Sequence, residues 1–205
     1  MKKSPPVRTI GLTGGIGSGK STVSSILRLS KGFGLIDADS ISRSLTASNG
    51  LAIPLIQEAF GASFISPDQS LDRTKMRELV FSNPQAKQTL ESIIHPKVLQ
   101  GIELELQNLL NSGFSTVILD IPLLAELHAR WQDKLNAILV VDCSKETQIQ
   151  RVVQRSGLKP EIVLKIIESQ ASRELRNSIG NWVILNDGIT LEELHHRVAK
   201  IDFDN

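Results

Sequence analysis

The fold of this chain is decided by the stretch Gly14-Gly15-Ile16-Gly17-Ser18-Gly19-Lys20-Ser21-Thr22. It matches G-x-x-x-x-G-K-[ST], the pattern of loops that bind nucleotide phosphates. Alternating apolar residues at 7–13 predict a buried strand before it, and apolar residues at helical spacing after it predict a helix. In this order of strand, loop and helix, the pattern indicates a phosphate-binding loop (P-loop) rather than a glycine-rich turn with a chance lysine.

The residue types of this loop suit a nucleoside triphosphate. Glycines allow the backbone to turn tightly and to approach an anion without an intervening Cβ. The N–H groups of the loop and the positive end of the following helix dipole attract phosphate. Lys20 would place a positive charge at the β- and γ-phosphates, and the Ser21 hydroxyl would ligate Mg²⁺. The predicted ATP-binding residues of the loop are Gly15, Ile16, Gly17, Ser18, Gly19, Lys20, Ser21 and Thr22.

The composition limits the classes of function. The 205 residues are enough for one domain with a substantial core. A net charge of +1 and the absence of tyrosine argue against nucleic-acid binding. No apolar run approaches the roughly 20 residues that span a bilayer, residues 1–6 lack the apolar segment of a secretory signal, and Cys143 has no second cysteine to pair with. We therefore predict a cytoplasmic protein that binds neither nucleic acid nor membrane, and its oligomeric state stays open.

Four further apolar segments predict strands that alternate with helices. They are Gly32–Asp37, Thr116–Pro122, Ala137–Asp142 and Trp182–Asn186. Near-continuous apolar runs are typical of parallel strands that are covered on both faces. With the strand before the loop, they predict an α/β fold, a five-stranded parallel sheet with helices on both faces. We assign 5–40, 114–149 and 179–205 to this core, within one domain that spans 1–205.

The character of the sequence changes between the second and third predicted strands. From Ser40 to about 112, apolar residues fall at helical spacing. Asp72 predicts one helix N-cap and Asn83-Pro84 another, and Pro96 predicts the end or a kink of the helix that begins there. We interpret 41–113 as an all-helical insertion, which is long enough to form a binding lobe.

Acidic residues stand where predicted strands end, at the rim where open α/β sheets bind ligands. Asp37 and Asp39 follow the second strand, and if the chain turns there, only one of them would point at the site. Asp120 ends the third strand and is typical of an acid that holds Mg²⁺ directly or through water. Asp142 ends the fourth strand, where an acid at a helix N-terminus is an equally good interpretation.

A helical segment with several arginines follows the fourth strand. Arg151 and Arg155 are four residues apart and so share a helix face. They would be solvated surface arginines, or they would belong to a lid that closes over ATP at 150–178. The lid interpretation requires one of them to face the glycine loop. We predict Arg151 as the first choice for the phosphates and Arg155 as the second.

Several further blocks make the chain similar to the dephospho-coenzyme A kinases, from Val7 to about Val198. The blocks are Leu12–Thr22, Ile36-Asp37-Ala38-Asp39 with Arg43, Leu71-Asp72-Arg73 with Val80-Phe81, Ile94-His95-Pro96, Pro122-Leu123-Leu124 with Glu126, Val141-Asp142 with Glu146-Thr147-Gln148 and Arg151, and Gln170 with Arg173. The glycine loop is widespread among proteins. The Asp-Ala-Asp, His-Pro and Pro-Leu-Leu blocks together are much more specific.

The resemblance implies a P-loop kinase fold and transfer of the γ-phosphate of ATP to the ribose 3′-hydroxyl of dephospho-coenzyme A, the last step of coenzyme A synthesis. The helical insertion would bind the acceptor. The second acid of the Asp-Ala-Asp block, here Asp39, is the proposed base of the family. The implied catalytic residues are Asp39, Lys20 and Arg151, the acceptor-binding residues are Thr13, Asp39, Arg43, Arg73 and His95, and the Mg²⁺ ligands are Ser21 and Asp120. For His95, a helix C-cap before Pro96 is an equally good interpretation.

The chain departs from the family pattern in two places. Asn181 stands where members often have an acid, which could alter contacts with adenine or the approach of the last strand. Gln69-Ser70 replaces a frequent Asp-Gly, which we interpret as a loop change.

Other functions compete with this interpretation. The N-K-x-D base reader of GTPases is absent from the sequence. A nucleoside monophosphate kinase or another small-molecule kinase is the nearest alternative, and the Asp-Ala-Asp and His-Pro blocks argue against it. A non-catalytic regulatory module that binds ATP is the alternative of another class. Asp39 argues against that, because a protein that only binds nucleotide needs no base.

Overall fold

The computed structural model describes residues 7–203. A sheet of five parallel strands forms its centre, in the order β2-β3-β1-β4-β5. The strands are β1 (Arg8–Gly14), β2 (Gly34–Asp37), β3 (Thr116–Asp120), β4 (Ala137–Asp142) and β5 (Trp182–Leu185). The predicted α/β class and five-stranded parallel sheet are confirmed. Residues 1–6, for which we expect no secretory signal, lie outside the described residues.

Helices connect the strands. They are α1 (Lys20–Lys31), α2 (Ala38–Leu45), α3 (Ile53–Phe60), α4 (Arg73–Ser82), α5 (Pro84–Asn111), α6 (His128–Trp131), α7 (Lys145–Ser156), α8 (Pro160–Ser169), α9 (Arg173–Ser178) and α10 (Leu191–Ala199). A 3-10 turn covers Ala62–Phe64. None of the helices within residues 7–203 combines the length and the apolar character that crossing a membrane requires.

The register of the sheet brings the ends of its strands level. In β1, Leu12 pairs with Asp120 of β3, and Gly14 pairs with Val141 of β4. The loop that follows β1 therefore starts beside the carboxyl ends of its two neighbours. Apolar side chains of the sheet, of α1, of α10 and of the segment after α10 form one buried core: Ile10, Leu12, Val23, Ile26, Leu27, Ile118, Leu139, Val141, Ile184, Leu194, Val198 and Phe203.

The chain contacts divide into two compact units. One runs to Ile36 and resumes at Leu109, and the other is Asp37–Asn108. The second unit consists of α2, α3, α4 and most of α5, together with one isolated β-bridge between Ile65 and Leu71. The predicted helical insertion at 41–113 lies largely within this unit, and its role as a separate binding lobe stays a prediction.

The helix that begins at Pro84 does not end at Pro96. It continues to Asn111 as α5, a single helix of 28 residues with Pro96 inside it. The prediction that the helix ends there, and with it the C-cap interpretation of His95, is therefore wrong. Tertiary packing explains the continuation: past the proline, Ile102 is buried, and a Cβ on Gly101 would lie 2.7 Å from Ile41. Such close packing offsets the backbone hydrogen bond that proline removes.

Candidate active site

The glycine loop connects the end of β1 to the start of α1, as predicted. Gly17 (φ 75°) and Gly19 (φ 91°) adopt the left-handed conformation that favours glycine. Gly19 is the N-cap of α1, and it supplies no side-chain hydrogen bond to the first turn. The positive end of this helix dipole therefore faces the loop without a capping side chain, which suits an anion.

The glycines also make room for the structure behind the loop. A Cβ on Gly14 would lie 2.6 Å from the carbonyl oxygen of Val141, and one on Gly17 would lie 2.8 Å from that of Gln148. These backbone oxygens belong to β4 and α7 and cannot move aside as a flexible side chain would. These glycines are therefore required for close packing as well as for the approach of an anion.

Side chains from distant parts of the chain hold the backbone of the loop. Gln148 Nε2 donates to the Ile16 carbonyl (2.7 Å), and Gln170 Oε1 accepts from the Ile16 N–H (3.0 Å). Asn186 Nδ2 donates to the Ser18 carbonyl (2.7 Å). The loop is thus tied to α7, to the end of α8 and to the residue after β5.

Lys20 and Asp120 form an ion pair beside the loop. The Lys20 side chain is 18% exposed and the Asp120 side chain 9% exposed, so both charges are largely removed from water. Charges interact more strongly in such an environment than at the surface. The strand-end acid predicted from the sequence therefore lies at the loop, in direct contact with the predicted catalytic lysine.

Arg151 faces the glycine loop and Arg155 does not. Arg151 Nη1 donates to the carbonyl oxygens of Gly17 and Ser18, each at 3.4 Å. Arg155 lies one turn further along α7 and is exposed. The lid interpretation requires one of these arginines to face the glycine loop, and Arg151 does so. The assignment of either arginine to the phosphates stays a prediction.

The first turn of α7 is held by an acid that follows β5. Asp187 accepts hydrogen bonds from the Ser144 N–H (3.0 Å) and from the Thr147 hydroxyl. Ser144, the N-cap of α7, accepts in turn from the Thr147 N–H. The hydrogen bonds from Thr147 and Ser144 lower the pKa of Asp187 below its ordinary 3.8, so the carboxylate stays charged at neutral pH. This network fixes the helix that presents Arg151.

Asp142, at the end of β4, pairs with an arginine. Both of its carboxylate oxygens accept from Arg173 Nε (2.9 Å each), and Oδ2 also accepts from Arg173 Nη2 (2.6 Å). The N-cap of α7 is Ser144, so Asp142 does not cap that helix. Its hydrogen bonds raise the pKa of Arg173, the first residue of α9. Asp142 therefore fastens α9 to the sheet.

Asp37 and Asp39 have separate roles in the second unit. Asp37 is the N-cap of α2: its Oδ1 accepts from the Ser40 N–H (2.9 Å), and its Oδ2 lies 3.6 Å from Arg43. The chain therefore turns at Asp37, and this carboxylate is used by the turn. Asp39 lies in the first turn of α2 and is exposed. Of the two acids, Asp39 is the one that the local structure leaves open to a ligand.

The remaining acceptor candidates differ in their surroundings. Arg73 Nη2 donates to the Thr46 hydroxyl (2.9 Å) and is thereby held at the end of α2. His95 is half-buried in the middle of α5. Thr13 belongs to the first unit, is fully buried, and donates its hydroxyl to the Pro122 carbonyl (3.1 Å). Its observed contact therefore ties β1 to the segment after β3, and its acceptor role stays a prediction.

A cavity of about 260 Å³ opens beside the start of α1. Its lining residues are Gly19, Thr22, Arg151, Asn186, Ile189, Thr190, Leu191 and Leu194. A larger groove of about 590 Å³ lies between α1 and α10, lined by residues such as Lys31 and His195, and it does not reach the loop. The smaller cavity combines apolar side chains with the arginine that faces the loop. It is therefore suited to a flat, partly apolar group attached to a phosphate.

A family model described as dephospho-CoA kinase matches residues 8–192 of this chain. The chain belongs to the dephospho-CoA kinase family. The dephospho-CoA kinase of Albidiferax ferrireducens is 47% identical over 192 residues, which cover 94% of this chain and 90% of that protein. The predicted family and enzyme class, a kinase, are confirmed.

Two solved structures share the fold of this chain. TT1252 from Thermus thermophilus superimposes with a TM-score of 0.81 at 33% identity, over 95% of each chain. A dephospho-CoA kinase from Campylobacter jejuni superimposes with a TM-score of 0.65 at 26% identity, over 94% of each chain. These likenesses confirm the predicted P-loop kinase fold, and such kinases bind a nucleotide.

The two departures from the dephospho-CoA kinase pattern have structural explanations. Asn181 Oδ1 accepts from the Ile138 N–H (2.8 Å), and the Asn181 N–H donates to the Ile138 carbonyl (2.9 Å). Asn181 thus connects the start of β5 to β4, and it does not line the 260 Å³ cavity. Gln69 lies in a turn closed by the Ser66–Ser70 backbone hydrogen bond, which confirms a loop position.

Sequence reasoning missed three residues of the loop environment. Gln148 and Gln170 were predicted only as part of the blocks that resemble the family, and neither was given a role. Asn186 appeared only as part of the last predicted strand, although it follows β5 directly. Its position at a strand end was the available signal, because strand ends line the ligand edge of such sheets. Nothing in the local pattern indicated which glutamines reach the loop.

Proposed function

We propose that this member of the dephospho-CoA kinase family transfers the γ-phosphate of ATP to the 3′-hydroxyl of the ribose of dephospho-CoA, giving coenzyme A and ADP. One observation carries the proposal: the family match over 8–192 includes both the glycine loop and the Asp37-Ala38-Asp39 block. The family match therefore covers the residues proposed to act on the phosphate donor and on the acceptor, and not only the nucleotide-binding loop. The low charge and single cysteine favour a cytoplasmic location.

ATP would bind with its phosphates on the loop at 15–22 and its adenine in the 260 Å³ cavity. The cavity shares Gly19 and Thr22 with the loop, so one nucleotide can fill both. Ile189 and Leu191 offer apolar surface to the base. Arg151 lines the cavity and donates to loop carbonyls, which supports a role for its charge at the phosphates. Arg155 is the second candidate, and it would need movement of α7 to take part.

Ser21 and Asp120 would hold Mg²⁺ together with the phosphates. Within residues 7–203, no group of three or more histidine, cysteine, aspartate or glutamate side chains could hold a metal by itself. The single hydroxyl of Ser21 and the single carboxylate of Asp120 fit Mg²⁺, because this ion is usually bound through one or two carboxylates plus substrate phosphates. When bound, the ion neutralises charge on the phosphates. Lys20 would then exchange its contact with Asp120 for the phosphates.

Asp39 would act as the base. Its carboxylate would accept the proton of the 3′-hydroxyl as the ribose oxygen forms its bond to the γ-phosphorus, while the bond to the leaving ADP oxygen breaks. Two observations support this role: α2 begins directly after a strand of the central sheet, and the neighbouring Asp37 is used as its N-cap. Lys20 and Arg151 would neutralise the charge that develops on the phosphates.

Arg43, Arg73, His95 and Thr13 are the proposed acceptor contacts. Arg43 and Arg73 are exposed cations, which suit the phosphates of a coenzyme A precursor. Closure of the segment 150–178 as a lid would exclude water during the transfer. This segment is anchored at its end by the pair of Asp142 and Arg173.

Release of ADP with a panel of acceptors tests the proposal. The expected result is ADP release that requires dephospho-CoA, with AMP and adenosine as poor acceptors. Equal turnover of AMP or adenosine would overturn the acceptor assignment in favour of a related small-molecule kinase. Tight ATP binding without turnover of any acceptor would instead support a regulatory module.

A further inference from the structure

Two side chains hold the backbone of one residue of the glycine loop, Ile16. The carbonyl of Ile16 accepts from Gln148 Nε2 at 2.7 Å, and its N–H donates to Gln170 Oε1 at 3.0 Å. Gln148 belongs to α7, and Gln170 is the C-cap of α8. Two separate elements thus hold the same residue of the loop.

Gln148 is a hydrogen-bond donor to Ile16, and Gln170 is a hydrogen-bond acceptor from it. A backbone carbonyl can only accept a hydrogen bond, and a backbone N–H can only donate one. The Ile16 backbone therefore dictates that Gln148 presents its NH₂ group and Gln170 its oxygen. A glutamate could replace the acceptor at 170, but it could not replace the donor at 148.

Ile16 needs such support because of its neighbours. It lies between Gly15 and Gly17, and Gly17 has φ 75°. Glycine has more conformational freedom than any other residue, so a loop of this composition loses entropy when it is ordered. Gln148 is 3% exposed, so it is itself held in place by packing. A buried amide can pre-order the loop before nucleotide arrives.

Gln170 is fixed by the residue that follows it. The Ala171 N–H donates to Glu126 Oε1 (2.7 Å), and the Ala171 carbonyl accepts from Arg176, which is 5% exposed. The start of α9 is tied to Asp142 through Arg173. The backbone on either side of Ala171 therefore has little freedom, and the contact of Gln170 with Ile16 is built into this segment.

We propose that Gln148 and Gln170 are positioning residues, which hold the two peptide groups on either side of Ile16 in the nucleotide-free loop in the conformation that receives phosphate. They increase the affinity for ATP by reducing the ordering that binding requires. Once ATP is bound, its phosphates hold the loop themselves, so the chemical step changes little. The proposal rests on the proposed function only in that the loop binds ATP.

Hydrogen exchange of the nucleotide-free protein tests the contacts directly. Gln148→Ala and Gln170→Ala should each speed exchange in peptides that cover the loop, while Gln154→Ala, at an exposed position of α7, should not. Gln170→Glu should keep the loop protected, and Gln148→Glu should lose that protection. Equal tolerance of glutamate at both positions, or unchanged exchange in both alanine variants, would overturn the proposal.

ATP binding provides the second measurement. In calorimetry, each alanine variant should raise the Kd for ATP about 3- to 10-fold, the range expected for loss of one hydrogen bond. The double variant should raise the Kd for ATP by less than the product of the two single fold-changes, because both contacts hold the backbone of the same residue. In turnover, KM for ATP should rise by a similar factor, while kcat at saturating ATP stays within about 2-fold of the wild type.

The outcomes separate this proposal from the proposed function. A merely structural role would lower Tm and speed exchange throughout the sheet, but it would leave the Kd for ATP of the folded protein unchanged. If the wild type fails to phosphorylate dephospho-CoA, the proposed function fails, yet exchange and ATP calorimetry still decide the role of the two glutamines. If it turns over normally and the alanine variants bind ATP as the wild type does, only the positioning role fails.

Discussion

The candidate ATP site and the candidate acceptor site are built differently. Around the glycine loop, charged side chains are sheltered: the Lys20 and Asp120 side chains are 18% and 9% exposed. In the unit Asp37–Asn108, the Arg43 side chain is 58% exposed, and Asp39 is also exposed. Hydrogen bonds from distant segments hold the loop backbone, whereas Arg43 and Arg73 contact residues of their own unit.

The difference follows from what each site would bind. A triphosphate presents a small and constant set of oxygens, and a loop that is already ordered binds it at a low entropic cost. An acceptor with a long flexible chain needs side chains that can adjust to it. Exposed arginines and carboxylates keep their rotamer freedom until a ligand orders them. We therefore expect substitutions near the loop to affect ATP, and substitutions in the second unit to affect the acceptor.

Lys20→Ala should have the largest effect. It removes the positive charge nearest to the predicted β- and γ-phosphates, so kcat/KM for ATP should fall about 10³-fold, the upper range for loss of one group that stabilises the transition state. Steady-state kinetics would measure this, with Lys145→Ala at an exposed position of α7 as the control. A fall of less than about 10-fold would remove Lys20 from catalysis.

Asp39→Asn should come next, and it should separate the two sites. Loss of the base should lower kcat by roughly 10²-fold or more. The Kd for ATP should change little, because a general base interacts with the acceptor hydroxyl and not with ATP. Turnover and ATP calorimetry on the same preparation would test this, with Asp72→Asn as a matched control in the same unit. Near-normal kcat would exclude Asp39 as the base.

Arg151→Ala and Arg155→Ala form a matched pair on one helix. Arg151 contacts the loop, so its loss should lower kcat/KM for ATP about 10-fold or more, as for hydrogen bonds to a charged group. Arg155 is exposed, and its loss should change kcat/KM by less than about 2-fold. Equal losses of kcat/KM in the two variants would mean that α7 moves when ATP binds. The difference in how Arg151 and Arg155 face the loop would then apply only to the protein without nucleotide.

The smallest expected effect is on the Tm, and it comes from substitution of Asp187, whose carboxylate holds the first turn of α7. Because the pKa of Asp187 is lowered from 3.8, its carboxylate stabilises the folded state above that pH, and this contribution is lost as the pH falls through the lower folded-state value. Asp187→Asn should lower Tm at pH 7 by at most about 3 °C. The difference from the wild type should shrink below pH 3.8 in thermal melts. A difference that is independent of pH would contradict the assignment to this carboxylate.

Much of the donor site was predictable. The strand before the loop, the helix after it and the acid at the end of β3 follow from apolar periodicity and motif spacing, both local properties of the sequence. Pro96 shows where local rules fail. They left an end or a kink open, and the end is wrong, because close packing of Gly101 against Ile41 favours a helix that continues. Local rules also could not predict the role of Asp142, because its hydrogen-bond partner Arg173 is 31 residues away along the chain.

The sequence by itself determined the family, the parallel sheet and the loop that binds phosphate, because a tight turn, a buried strand and a helix start each depend on neighbouring residues. The tertiary structure alone decided what holds that loop. Gln148, Gln170 and Asn186 reach it from 132, 154 and 168 residues away along the chain. No local periodicity encodes such contacts, since they arise only when the sheet brings the ends of its strands and helices together.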